Sequence, residues 1–285
     1  MTLVGPGRAG RALARSWTGS GGLLSRVIVR DRIRVSPSAF PQAEIAEADL
    51  LNASDCDLLA IAVPDDAIAS CAERLAERLR PRFAFHLSGA LGSELLAPFA
   101  REGALIASMH PLRPFTGADG EDWRDAFVAV EGDEAACRMA DALARSIGAR
   151  PHRIAAAEKA LYHAAASLAA GGVAGVLSVA ARQWVRAGIA EPLAREALAG
   201  LAARAIGAAG ARSFEEALTG AVARRDAGTV RRHVRALAFD ERALELYRIL
   251  AEEILHRTPG RGRESEILEI LGLADEARIN GRGRP

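Results

Sequence analysis

Short apolar runs ended by glycine, proline or charge alternate with amphipathic stretches over the first half of the chain, then stop. Leu3-Val4 leads into Gly5-Pro6-Gly7-Arg8-Ala9-Gly10 and a helical stretch from Arg11 to Trp17. Arg26-Val27-Ile28-Val29-Arg30 predicts a second strand. Residues 33–52 hold two prolines and no clean period, so no element is predicted there. The continuous apolar run Leu58-Leu59-Ala60-Ile61-Ala62-Val63, closed by Pro64, reads as a strand buried on both faces. An amphipathic helix over 67–79 follows it. Residues 83–90 and 105–109 predict two more strands, and 126–131 and 152–154 the last two, with a helix over 134–147 between them.

From Ala155 onward no strand pattern remains. Residues 155–187 predict one long helix, with Gly171, Gly172 and Gly175 as close-packing or bending points. Ser213 with Glu216 forms a capping box, and Asp226 and Asp240 are N-cap candidates. Alternation followed by helices alone predicts an α/β Rossmann fold, a doubly wound parallel sheet, followed by an all-α second domain. The expected boundaries are 1–154 for the dinucleotide-binding domain, 155–275 for a helical substrate or dimerisation domain, and 276–285 for a disordered tail. Residues 164–181 carry no charge and approach membrane-spanning length. Alanine and glycine dominate them, which makes insertion unfavourable. A helix apolar on every face should be buried, and covering it calls for a second copy, so a homodimer through the helical domain is expected.

Composition narrows the function classes. A net charge of +1 leaves no electrostatic footprint for nucleic acid. Cys56, Cys71 and Cys137 are odd in number and widely spaced, which fits neither a zinc site nor a disulfide framework. No metal site is expected, and a reducing cytoplasm is. Glycines and arginines interrupt the first residues, unlike a signal peptide. Among 37 lysines and arginines, Lys159 is the only lysine. Lysine differs from arginine in being a compact point charge whose pKa falls readily on burial.

Candidate chemistry lies at three places. In Gly5-x-Gly7-x-x-Gly10, between strand and helix, Gly5 permits the turn, Gly7 the approach of a pyrophosphate and Gly10 close packing; Arg8 and Ala9 open the helix whose amides would meet the phosphates. The second strand ends in Arg30-Asp31-Arg32. The arginines suit the 2′-phosphate of NADP, the aspartate the ribose of NAD, and plain surface charge is the bland alternative. Val63 and Pro64 end the buried strand on the same rim. The later strands run into Ser88 and His110, two candidates for a site or for ordinary structural roles. Finally, Lys159 on a helix would stand beside Tyr162 at i+3 and His163 at i+4. Such a cluster could polarise or protonate a carbonyl.

These motifs together resemble a family of Rossmann-plus-helical oxidoreductases that includes a domain of unknown function. Its relatives are pyrroline-5-carboxylate reductase, ketopantoate reductase and the 6-phosphogluconate dehydrogenase group, whose C-terminal domain is helical. The likeness rests on the glycine loop, Val63-Pro64-Asp65-Asp66, His86-x-Ser88-Gly89-Ala90 and Ser108-x-His110-Pro111-Leu112. It continues through Lys159-x-x-Tyr162-His163-x-Ala165 and Leu218-Thr219-Gly220 with Arg224-x-Asp226. The resemblance implies an NADP-type cofactor, with NAD possible, and a substrate between the domains, with Lys159 and His163 near the nicotinamide. In three places the chain departs from the family: Ala170-Gly171 replaces a Ser-Asn pair, Ala221 a proline, and Arg225 a glycine. The expected activity is reduction of a small carbonyl or imine, with a 2-oxo acid of the ketopantoate type as substrate. Lys159 and His163 would act on the oxyanion, and Ser88 and His110 would orient the substrate. A cofactor-sensing module without turnover is the rival.

Overall fold

The computed structural model describes residues 1–258 and 262–273, so the expected tail from residue 276 lies outside the described residues. The chain forms two compact units, Met1–Gly171 and a second from Gly172 onward.

The first unit is built on strands β1 (Thr2–Val4), β2 (Arg26–Val29), β3 (Glu44–Glu47), β4 (Ser54–Ile61), β5 (Leu79–His86), β6 (Leu105–Leu112), β7 (Phe127–Gly132) and β8 (Arg150–Arg153). They make one sheet in the order β3-β2-β1-β4-β5-β6-β7-β8. The order reverses between β1 and β4, the place where open α/β sheets leave a crevice beyond their carboxyl ends. Helices α1 (Arg8–Gly19), α2 (Ile68–Ala76), α3 (Ala97–Ala100) and α4 (Glu134–Ser146) belong to this unit. Successive residues of β2 show why the sheet is covered twice. Val27 and Val29 belong to the core on one face, with Leu13 of α1 and Leu143 of α4, whereas Ile28 belongs to the core on the other, with Ile68 and Leu75 of α2 and Phe99 of α3.

Two expectations are corrected. The sheet is not wholly parallel, because β7 runs antiparallel to β6. The loop of 113–126 brings the chain straight back beside β6, and no crossover helix intervenes to keep the direction. The stretch 33–52 does contain a strand, β3, which is short and lies at the sheet edge with one buried residue, Ile45; an edge strand needs little hydrophobic pattern. The long helix expected over 155–187 is present. The chain forms α5 (Lys159–Ser167), a π-turn at Leu168–Gly172 and α6 (Val173–Arg186), one continuous helix over Ala156–Arg186. Between 164 and 181 no residue is buried. Among the described residues this is the one helix long and apolar enough to cross a membrane by length and composition alone.

The second unit continues with α7 (Glu191–Ala211), α8 (Phe214–Ala217), α9 (Gly220–Ala223), α10 (Ala227–Leu237), α11 (Glu241–Arg257) and α12 (Glu264–Leu271). Ser213, Asp226 and Asp240 cap α8, α10 and α11 through their side chains, as expected. Val222, Val230, Leu255 and Ile267 form a small core. Arg225 sits at φ 55°, the left-handed region that glycine enters freely. Its guanidinium is 2 % exposed and bonds the Leu255 and Thr258 carbonyls and the Thr258 hydroxyl. These contacts tie the turn at Arg225 to the C-terminal end of α11, where the Leu255 carbonyl also accepts from the Thr258 amide, and offset the strained backbone.

Candidate active site

The glycine loop has the form a diphosphate needs. Gly5 has φ +80°, and a β-carbon there would lie 2.8 Å from the Ala62 carbonyl oxygen and 2.9 Å from Cγ1 of Val63. At Gly10 it would lie 2.5 Å from the Gly5 carbonyl oxygen. Gly7 is different: nothing stands within 4 Å of the missing side chain. It is the N-cap of α1 and offers no side chain to the first-turn amides, so these amides and the helix dipole face an open approach. Arg8 lies beside the 113–122 loop, with its Cγ 3.2 Å from where a Gly117 β-carbon would be. Beyond β2, Asp31 caps a short 3₁₀ turn by accepting from the Ile33 amide, and the Arg30 and Arg32 side chains are exposed.

The carboxyl ends of β4, β5 and β6 build a second cluster on the same rim. Lys159 is 1 % exposed. Its ammonium donates to the Ser88 carbonyl at 3.1 Å and to the Ser108 hydroxyl. Burial lowers its pKa below the ordinary lysine value, and the charges of Glu131, Glu94 and Asp65 partly oppose that shift. Ser88 spends its hydroxyl on the loop: it donates to Asp65 at 2.8 Å and accepts from the Ala90 and Leu91 amides. Beneath it, His86 is fully buried between the Gly92 carbonyl and the Ser88 amide, and burial lowers its pKa. Glu131, a carboxylate in the otherwise apolar β7, is buried and binds the amide and hydroxyl of Ser93.

Above Lys159 lies a layer of rings. His110 is inside β6, two residues beyond Ser108, and its Nδ1 is 2.9 Å from the Tyr162 hydroxyl. The His110 and His163 rings meet edge to face with centroids 5.3 Å apart. Both converge on Gly89: a β-carbon there would lie 2.4 Å from Nδ1 of His163 and 2.9 Å from Nε2 of His110. Nδ1 of His163 is buried and has no hydrogen-bond partner among the described residues. Burial, reinforced by His163 and Lys159, lowers His110 to about 4, so its imidazole is neutral at pH 7.

The structure therefore brings Lys159, His163, His110 and Ser88 together, and places Gly5, Gly7, Arg8, Ala9, Gly10, Val63 and Pro64 around the neighbouring glycine loop. Arg30 and Arg32 stand apart from that cluster, at the end of β2. Asp65, Gly89 and Ser108 stand in the quoted motifs without a role assigned to them, the contact of Tyr162 with His110 is not foreseen, and Glu131 is not singled out at all. A lone carboxylate in an apolar strand is a signal that could have found Glu131. Among the described residues no group of three or more His, Cys, Asp or Glu could hold a metal ion.

Residues 1–111 match the model of a Rossmann-like domain, and residues 126–254 that of a domain of unknown function, DUF2520. The chain joins a Rossmann-like domain to a DUF2520 domain. The DUF2520 match starts at β7 and so takes in Tyr162, His163 and the lone lysine. No curated protein matches the chain. Among solved structures it is similar to TM1727 from Thermotoga maritima, with 21 % identity, TM-score 0.71, and 97 % of this chain and 99 % of that one covered. It is also similar to BF3122 from Bacteroides fragilis, a candidate NADP oxidoreductase, at 18 % identity and TM-score 0.70 over 89 % of this chain and 96 % of that one. Pyrroline carboxylate reductase of Plasmodium falciparum with NADP bound aligns at 11 % identity and TM-score 0.57, over 96 % and 97 %. At these identities the likeness is one of fold.

Proposed function

We propose that the protein is an NADP(H)-dependent oxidoreductase that reduces a small carbonyl or imine, with a 2-oxo acid of the ketopantoate type as its substrate class. The observation that carries this reading is the open cradle at Gly7 on the same sheet rim as the Lys159, His110 and His163 cluster. The cradle's missing β-carbon contacts and uncapped amides fit a dinucleotide diphosphate. Asp31 is engaged in a turn, and the exposed Arg30 and Arg32 suit a 2′-phosphate, which favours NADP over NAD. The NADP named for two of the similar structures supports the same choice.

When bound, NADPH supplies the hydride. The chain's own residues do the rest. Ser88 folds the loop that carries Gly89, and Lys159 holds that loop from below through the Ser88 carbonyl. Two of the three ammonium donors are engaged, and the third is available to a substrate oxygen as negative charge develops on it. The orphaned Nδ1 of His163 is the second group able to meet that oxygen. The lowered pKa of Lys159 makes it a better proton donor than a surface lysine. Two observations favour the rival, a cofactor-sensing module without turnover: Lys159 is almost wholly enclosed, and Gly171 gives no side chain where the resemblance implies asparagine.

We read the working form as a soluble, cytoplasmic homodimer joined through the helical unit, binding neither nucleic acid nor membrane. The apolar residues left uncovered on its helices, among them Val185, Leu193 and Leu201, support the pairing. Calorimetry with NADP and NAD, then absorbance loss of NADPH with a panel of oxo acids and imines, tests the activity. Binding of neither dinucleotide removes the enzymatic reading, and binding without turnover on any substrate leaves the sensor.

A further inference from the structure

Tyr162 is half-buried, and among the described residues its hydroxyl makes one hydrogen bond, with Nδ1 of His110. It is held in place from behind: Phe127 stacks against it at 6.4 Å and is itself stacked on His152 at 4.2 Å. The neutral His110 ring carries one proton and has two nitrogens to put it on. Burial raises the phenol's pKa, so Tyr162 keeps its hydrogen. A phenol O–H directed at the Nδ1 lone pair satisfies both groups. The reverse arrangement leaves the phenol hydrogen without an acceptor among the described residues. Nε2, across the ring, has no partner among the described residues and faces the corner above Gly89.

We propose that Tyr162 is a positioning residue: its phenol donates to Nδ1 of His110, holds that imidazole as the Nε2–H tautomer, and so sets an N–H donor at the corner above Gly89 for a substrate carbonyl oxygen or imine nitrogen. The proposal deepens the reductase reading and depends on it only for the identity of the acceptor. In this arrangement His110 polarises the acceptor and keeps its own proton, because a neutral imidazole N–H is far too weak an acid to give it up at pH 7. Proton delivery then falls to Lys159. Tyr162 thus acts through another residue, and tautomer choice is the property that separates this role from simple packing.

A long-range ¹H–¹⁵N correlation spectrum of the full-length labelled protein at neutral pH reads the tautomer directly, with the His110 signals assigned by their loss in His110→Asn. The expected result is an unprotonated, hydrogen-bonded Nδ1 and a protonated Nε2. Tyr162→Phe keeps the ring and its stacking. It should weaken the tautomer preference roughly five- to tenfold, the weight of one ordinary hydrogen bond. With an accepted substrate, kcat should fall by a similar factor while NADP affinity holds. A wild-type Nδ1–H tautomer, or a preference unmoved in Tyr162→Phe, overturns the proposal. The spectrum needs no turnover, so failure of the reductase assay and failure of the tautomer assignment are separate results.

Discussion

Replacing Gly89 by alanine adds one methyl group at the point where both imidazoles converge. Gly89 is not among the glycines with positive φ, so the backbone accepts alanine and the whole cost comes from contact. The new carbon would lie 2.4 Å from Nδ1 of His163 and 2.9 Å from Cε1 and Nε2 of His110. Ordinary carbon contacts sit at about 3.5 Å, so His163 must retreat by about 1 Å and His110 by about half that. His110 has little freedom, since it lies within β6 and is tied to Tyr162. Overpacking of this size costs about 2 kcal/mol. For a unit of this length that lowers the melting temperature by about 4–8 °C. Scanning calorimetry measures the drop, and the imidazole resonances of both histidines should shift with it. Turnover of any accepted substrate should fall as well, since the two rings would no longer meet at their corner. A Gly89→Ala protein that melts within about 1 °C of wild type, with unmoved histidine signals, would refute the convergence of the two rings.

Gly7→Val is the opposite case: the site is open, so the melting temperature should hold while calorimetric NADP affinity falls by roughly 100-fold, about 2.7 kcal/mol. Lys159→Arg keeps the charge but cannot reproduce the ammonium's fit to Ser88 and Ser108, and should cut turnover by roughly 100-fold in a steady-state assay with cofactor affinity unchanged. Burial lowers the folded-state pKa of Lys159, so the folded chain binds this proton less readily than the unfolded one. Stability due to this group therefore rises as pH climbs from the folded value toward 10.5, and Lys159→Met should flatten that part of a denaturation profile. Sedimentation at low micromolar concentration should give the mass of two chains, and a monomeric mass counts against pairing through the helical unit.

Which features are legible in the sequence follows from how local their causes are. The glycine loop announces itself because a diphosphate cradle needs absent side chains at fixed offsets, and the second half of β4, Leu58–Ile61, because a stretch covered on both faces has no polar positions to interrupt it. The caps Ser213, Asp226 and Asp240 are equally local. β3 is hidden because an edge strand with one buried residue carries almost no pattern, and the reversed β7 because strand direction depends on loop path and not on composition. Lys159 stands out by being alone, yet its enclosure does not: its partners Ser88, in the loop after β5, and Ser108, in β6, and the nearby charge of Glu131, in β7, are all distant in sequence. His110 and Tyr162 are 52 residues apart, and only folding reveals their bond.

Because the only lysine is enclosed, the folded chain shows solvent no ε-amine at all. Acetyl transfer, ubiquitin attachment and aldehyde cross-linking through lysine all find no acceptor on its surface. An amine-reactive reagent can reach Nζ of Lys159 only by the approach that a substrate oxygen would take. The rate of labelling at that one atom therefore reports how open the site is, and a bound dinucleotide or substrate should slow it.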